Sequence, residues 1–482
     1  MKSCLVGLGT LSVAGVASAD SLEDGYETVV DVVEEGADNE GGESITPVLR
    51  ELVGDNTLLK FPPGRYYIDE QLRLTGFENV GFVGENATLV PASYHEFDGP
   101  QYRLFRLGTS DNPGRNLLFE RFDVDQTAAE TGIRVLNAEV EDGLSVRYVT
   151  VYGVHDSGTW GPGLFNITDP DGEGVVYCFR APDGAVHVDE TPNAGDMWRG
   201  ATGITVNQHH RGSLIFRNCT LGGFPDNGLY ASNETGRVGI DGGWFRNSGT
   251  ASIRLRGTVG KIADATVVVD ENPHDSAGQH AIRLDGGDQF DLEGLTVDLP
   301  QPNGDAIRIM HDVDETSITN TELTVGDQPN NGIRIDAGAG PTTIEDTEIE
   351  LEGSANAVRI LGQDGGAVEL RGVRITGDAV GTRNRHAIYC ERNACQFLGL
   401  SVEQPGDDHR RGLELRGEDY LVADSTFETT HTPLVVNGAD GVRIENCVGR
   451  SLEDGYSLRI TSDAGSVSLA DNEFPDGVRD DR

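Results

Sequence analysis

A right-handed parallel β-helix is the fold class this sequence predicts. Three observations predict it: a four-residue unit recurring at a near-constant interval, a second short strand within each interval, and no helical periodicity between them. The unit reads GITV at 203–206, GLYA at 228–231, SIRL at 252–255, AIRL at 281–284, AIRI at 306–309 and GIRI at 332–335. It continues as AVRI at 357–360, AIYC at 387–390, GLEL at 412–415, PLVV at 433–436 and SLRI at 457–460, in steps of 21 to 30 residues. In AIRL the Ile and Leu face one way and the Arg the other, as in a strand with one wet face. GIRV at 132–135 is an earlier member, and its distance from GITV leaves space for about three turns.

The second strand follows roughly ten residues later: TVVVD at 266–270, LTVDL at 295–299, LTV at 323–325, TEIEL at 347–351, VRIT at 373–376 and LSVE at 400–403. Asn, Asp and Gly lie between the strands, and these residues tolerate positive φ. Two or three strands per interval without a helix mean coiling rather than βαβ crossover. The fixed LxxLxLxxN frame of leucine-rich repeats is absent. Stacking then places each strand beside its counterpart at about 4.8 Å per rung, giving a helix of about a dozen rungs or more. Length agrees, because 482 residues exceed one compact core, whereas a solenoid needs only neighbouring units.

From these patterns the chain divides as follows. Residues 1–19 read as an export signal, with Lys2, an apolar stretch from Leu5 to Val16 and a small-residue end at Ala17-Ser18-Ala19. Residues 20–55 form an N-terminal cap, in which Tyr26, Val29, Val30, Val32 and Val33 cover the open end of the coil. Residues 56–154 make the first rungs, and 155–200 leave the helix as a loop or hairpin rich in turns and aromatics. Residues 201–470 carry the main repeats, and 471–482 are a C-terminal tail. No mature segment is long enough and apolar enough to span a bilayer. The expected location is extracellular or cell-surface, and the expected state a monomer.

Charge narrows the partners. The chain holds 80 acidic against 37 basic residues, a net charge of −43, and only Lys2, Lys60 and Lys261 among the basic residues are lysines. The acids are scattered, so they do not form a disordered tail. Such a surface repels itself in dilute buffer and is screened in salt. It resembles the composition of haloarchaeal proteins. No basic stripe suits duplex nucleic acid. Cys4 leaves with the signal, and Cys178, Cys219, Cys390, Cys395 and Cys447 remain, an odd number without framework or zinc spacing. Cys219 and Cys447 read as small buried rung residues. Cys390 and Cys395 are spaced to pair across a turn or to stay free.

The segments LLKFPPGRYYI at 58–68 and FENVGFVGENATLVP at 77–91 resemble the opening of the pectate-lyase-like β-helix superfamily, a strand pair of the form fPpGtY leading into a glycine-rich first rung. The resemblance implies the fold and, since hydrolases, lyases, epimerases and tailspikes share that opening, leaves activity open. The NTD, DD, GHG and RIK motifs of the polygalacturonase-like branch are missing in that order. No cofactor is expected; calcium is the one exception the superfamily resemblance leaves open, through its calcium-dependent lyases, and no D-x-[DN]-x-[DN]-G loop is present.

Two groups of candidate site residues remain. Arg254, Arg283, Arg308, Arg334 and Arg359, each third in its unit, form a ladder of one guanidinium per rung, with Arg459 repeating it later. Asp285 and Asp336 are placed to neutralise it, and otherwise the forks would hold carboxylate or sulfate groups of a linear polysaccharide. The second group surrounds the 155–200 segment: His155, Asp156, Trp160, Arg199, His209, His210, Asp226 and Tyr230. Asp156 and Asp226, with His209, are the candidate catalytic set of an inverting or retaining hydrolase. Trp160, His155 and Arg199 are candidate substrate contacts, and Trp198 is a further ring for stacking on sugar. The expected function is a secreted protein acting on or binding an acidic polysaccharide, as a glycoside hydrolase or polysaccharide lyase. The alternative is a non-catalytic surface, structural or adhesion β-helix. Whether the chain is an enzyme is left open by these residues.

Overall fold

The chain coils into a right-handed parallel β-helix in the computed structural model, which describes residues 22–97, 102–192, 198–383 and 385–482. The expected signal at 1–19 lies outside the described residues. Strands fall into two sheets, one of 16 strands (sheet I) and one of 29 (sheet II), and all pairings between named strands are parallel. The repeat units 203–206 to 457–460 all lie on sheet I, from Ile204–Val206 to Leu458–Ile460. Their apolar residues point inward in unbroken columns, such as Leu229, Ile253, Ile282, Ile307, Ile333, Val358 and Ile388, each at most 0 % exposed. Burying such a side chain is worth about 1.5–3 kcal/mol, and every rung repeats the gain.

Sheet II is folded along its length into two lanes. One lane carries the second strands read from the sequence, for example Thr296–Leu299, Glu322–Val325 and Glu348–Leu351. The other carries a third strand per rung that the sequence reading left unplaced, such as Gln289–Glu293, Thr316–Thr319 and Thr342–Glu345. Between the lanes most rungs bend at one residue of positive φ, Asn218, Asp264, Asn320, Asp346, Asp424 and Asn446 among them, with glycines on others. Asn and Asp accept this conformation at low cost, which is why they punctuate each interval. In the first rungs the lanes are not broken; Arg115–Asp125, Leu144–Tyr152 and Glu173–Ala181 run through both, bending at Arg121, Tyr148 and Cys178.

Three boundaries need correction. Residues 155–200 do not leave the helix as a hairpin: Gly163–Ile167 is a rung strand of sheet I and Glu173–Ala181 one of sheet II, each paired in parallel on both sides. Only two steps therefore separate the rung of Arg134–Val140 from that of Ile204–Val206, not three. The unit at 132–135 is also displaced, since Leu136 rather than Ile133 aligns with Gly163 and Ile204. The tail at 471–482 contributes a last strand, Val478–Asp480, to sheet I. At the other end, Thr28–Asp31 and Glu40–Ser44 pair onto the coil and a short helix, Thr46–Leu52, buries Leu49. All five described cysteines are free and buried, so Cys390 and Cys395 do not pair.

Candidate functional site

Sheet I presents one outward column through all its rungs: Arg73, Arg106, Asn137, Leu164, Thr205, Tyr230, Arg254, Arg283, Arg308, Arg334, Arg359, Tyr389, Glu414, Val435, Arg459 and Arg479. The five arginines read as a ladder are stacked as the spacing implied. Most are neutralised by carboxylates two residues further along the strand. Asp285 bridges Arg254 at 2.5 Å and Arg283 at 2.6 Å. Asp336 bridges Arg308 at 3.0 Å and Arg334 at 2.7 Å, and these guanidiniums hold its carboxyl below the usual range against the opposing effect of burial. One acid thus serves two rungs. Arg359 differs: its buried Nε has no partner, and its charge lies 5.9 Å from the Tyr389 ring.

The first rungs are built differently. Arg73 and Arg106 stand on adjacent strands of the same column, and positions two further along are Thr75 and Gly108, which cannot neutralise them. Among the described residues neither makes an ion pair, and the buried Nε of Arg106 lacks a partner. Arg103 and Arg134 lie beside them, paired across the same two rungs as Arg106 and Asn137. Arg134 is 1 % exposed; it donates from Nε to the Gly161 carbonyl at 3.0 Å, while its Nη2 has no partner. Burial, then Arg103, pull its pKa well below the guanidinium norm. Burial brings Arg103 down to about 10. Trp160 covers Arg134, with the ring 5.7 Å from its charge, and remains 40 % exposed. Glu139 is the carboxylate this group shares, and it is already held by Asn166 at 3.1 Å and His209 at 3.3 Å. Arg106 and Arg134 thus share an acid that is already occupied, and Arg73 forms no ion pair among the described residues, in a chain of net charge −43.

The predicted catalytic residues are divided among three contacts. Asp156 accepts from the backbone N–H groups of Glu130 and Gly132 at 2.6 and 2.8 Å, clasping the turn before Arg134–Val140. His209 follows Ile204–Val206 and pairs with Glu139, beyond the trailing end of the strands. Asp226 precedes Asn227–Ser232 and accepts from the Thr202 hydroxyl at 3.1 Å, at the leading end. Sheet I thus separates His209 from Asp226. Burial raises the Asp226 pKa, opposed by Thr250, Thr202, Arg254 and Arg199. Arg254 also lies 4.3 Å from the Tyr230 ring. Arg199 donates to the Gly249 carbonyl at 3.1 Å and stacks at 5.9 Å against Trp198. His155 is buried beneath the Trp160 turn, where its Nε2 meets Ser157 at 3.3 Å. Burial, reinforced by Arg134, keeps it neutral with a pKa of about 3.

Arg73, Arg103, Arg106, Arg134 and Glu139 were absent from the sequence-based site. A signal for them existed: LRL at 72–74 and FRL at 105–107 share the alternation of the later units, but GIRV at 132–135 drew the alignment off by three residues. As for calcium, the ion needs several oxygen ligands. Among the described residues no three His, Cys, Asp or Glu side chains gather as a metal site, so the residues present do not fit it. Also among them, no helix is long and apolar enough to cross a membrane.

Comparison with known proteins finds no matching family model and no matching curated protein. Solved structures do match. The pre-mature gene product 12 of bacteriophage phi29 shares 12 % identity at a TM-score of 0.52, covering 92 % of this chain and 72 % of that one. PfbA, a surface adhesin of Streptococcus pneumoniae, shares 10 % identity at a TM-score of 0.44, covering 92 % of each chain. ORF18 of Geobacillus virus E2 shares 10 % identity at a TM-score of 0.41, and the match covers 80 % of this chain but only 62 % of the length of that one. At 12 % identity the likeness to the phi29 protein shows the fold alone, a parallel β-solenoid.

Proposed function

We propose that the chain is an extracellular or cell-surface β-helix protein that binds an acidic polysaccharide along sheet I, as a binding or adhesion module. The observation that carries this reading is the pair Arg73 and Arg106, without ion pairs on adjacent rungs, with the exposed ring of Trp160 over Arg134 on the next rung. A surface this acidic has carboxylates to spare, and it supplies them to Arg254 through Arg334. Cations left without them are available to a sulfate or carboxylate, which a guanidinium fork grips at two points. Arg134 fixes the indole from beneath, and an aromatic face held this way suits a sugar ring. The export and haloarchaeal readings of the sequence fit the same proposal. So does the company of a surface adhesin and phage proteins among the solved β-helices.

The test is binding of the full chain to polygalacturonate and to sulfated dextran at several salt concentrations. Replacing Arg73 and Arg106 together by Gln should weaken binding at least tenfold while the circular dichroism spectrum is unchanged. Retention of wild-type affinity would overturn the reading. Hydrolysis is a second reading, favoured by the raised pKa of Asp226, since a carboxyl that keeps its proton can act as a general acid. Release of reducing ends from the same polymers, lost in Asp226→Asn, would establish it. Asp156 and His209 are committed elsewhere and would act on such a reaction only through structure.

A further inference from the structure

Ten rungs beyond Arg134, the same register position holds Arg411. Between them this position carries no cation-rich group but an interior ladder: Asp305 accepts from Asn331 Nδ2 at 2.7 Å, and Asn331 Oδ1 accepts from the Asn356 N–H at 3.2 Å. At Arg411 the character changes. Its Nε is buried without a partner, as is Nδ1 of His431. His431 packs edge-to-face against His409, with centroids 4.9 Å apart. Burial, followed by Arg411, His409, Arg385 and Arg459, holds the His431 imidazole neutral at about 4.

The acids on the neighbouring strands, Glu414 and Asp481, are committed. Glu414 is held by His386 at 2.8 Å, Arg416 at 2.7 Å and Asn437 at 2.6 Å. Asp481 is shared by Arg459 at 3.2 Å and Arg479 at 2.8 Å. Asp407 and Asp408 stand on the turn that carries His409, yet among the described residues neither Arg385 nor Arg411 forms an ion pair. As at the first rungs, guanidiniums without an ion pair stand beside unpartnered buried N atoms, although here two exposed carboxylates, Asp407 and Asp408, lie on the adjoining turn.

We propose that Arg385, Arg411, His409 and His431 form a second anion-binding subsite, which takes another sulfate or carboxylate group of the same linear polymer that occupies Arg73 and Arg106. The proposal rests on the polysaccharide-binding reading for the identity of the polymer. The two subsites lie ten rungs apart at the nearest, from Arg106 to Arg385, and twelve from Arg73 to Arg411, or about 48 to 58 Å along the coil axis. The carboxylate-neutralised stretch from Arg254 to Arg334 lies between, so the polymer would be gripped at both ends and pass over a neutral middle. Two tethered contacts multiply affinity only when one ligand reaches both.

Two measurements test this. First, inorganic sulfate is titrated into the full chain while the histidine ring resonances are followed by NMR. The His431 and His409 signals should move together and saturate, and the response should vanish in Arg411→Gln and in the surface variant Arg385→Gln, whose side chain is too exposed to affect folding. Unmoved signals in the wild type overturn the subsite. Second, affinities are compared for sulfated dextran oligomers shorter and longer than about 48 Å. The longer ones should bind at least tenfold more tightly, a gain absent in Arg385→Gln while short-oligomer binding persists. Equal affinity for both lengths refutes the bridging of the two subsites. If sulfate shifts His431 but Arg73→Gln with Arg106→Gln leaves oligomer binding intact, the first site fails and the second stands.

Discussion

His210 shows how a single side chain can stitch rungs together and make the coil sensitive to acid. It is fully buried; Nδ1 accepts from the Ile167 N–H at 3.1 Å, and Nε2 donates to the Arg237 carbonyl at 3.1 Å. Only the neutral ring satisfies both, and burial lowers its pKa to about 4. The unfolded ring titrates near 6.5. Between those values the unfolded chain binds the extra proton, so the stabilisation is complete above about pH 6.5 and is lost as pH falls toward 4, by up to about 1.4 kcal/mol per pH unit. His210→Gln keeps an acceptor and a donor but cannot titrate. Its melting temperature should fall less between pH 7 and 5 than that of the wild type, and parallel slopes would sink this account. Such a role was not legible in the sequence, where His209 and His210 look alike. Both lie on the turn after Ile204–Val206, closed by the His210 N–H on the Asn207 carbonyl at 3.1 Å, and that turn sends one ring into the core and the other to Glu139, 70 residues away.

At the level of the strand and its bend, the repeat was readable because every rung imposes the same demands. Inward columns need Ile, Leu or Val, and the bend between the lanes of sheet II needs a residue that accepts positive φ. Asn320 sits there at φ 49°. Asn320→Gly should leave the urea midpoint nearly unchanged, whereas Asn320→Ala should cost about 1 kcal/mol, because Cβ crowds the backbone in this region. The earliest rungs were less legible, since Arg121, Tyr148 and Cys178 occupy the bend and long strands run through it. On sheet I, Asp336 is 12 % exposed in its side chain and joins two half-buried arginines. Its loss falls between the small effect of an exposed pair and the several kcal/mol of a buried one, about 2 kcal/mol. Asp336→Asn should therefore lower stability yet raise affinity for sulfated dextran, because Arg308 and Arg334 are released. A variant that loses stability without gaining affinity would mean that the middle of the column never meets the polymer.

Across the whole molecule, stability and binding should respond to salt with opposite signs. A net charge of −43 is spread over an elongated coil, so most acids repel neighbours within a few rungs rather than across a globule. Short-range repulsion of this kind is screened once the Debye length drops to about 3 Å, near 1 M salt. Attraction between a polyanion and the exposed Arg73 and half-buried Arg106 is screened by the same ions. What survives at high salt is the geometry of guanidinium forks and the stacking surface of Trp160. The melting temperature should thus rise steadily from 0.1 to about 2 M NaCl, while affinity for polygalacturonate falls and then levels off at a plateau set by those short-range contacts. Trp160→Ala should lower the plateau more than the initial slope, and Arg106→Gln should lower both. Thermal scans and binding isotherms collected over one salt series would decide the matter: a melting temperature that falls with salt contradicts a repulsion-limited coil, and binding that vanishes without a plateau contradicts a site built on forks and an indole.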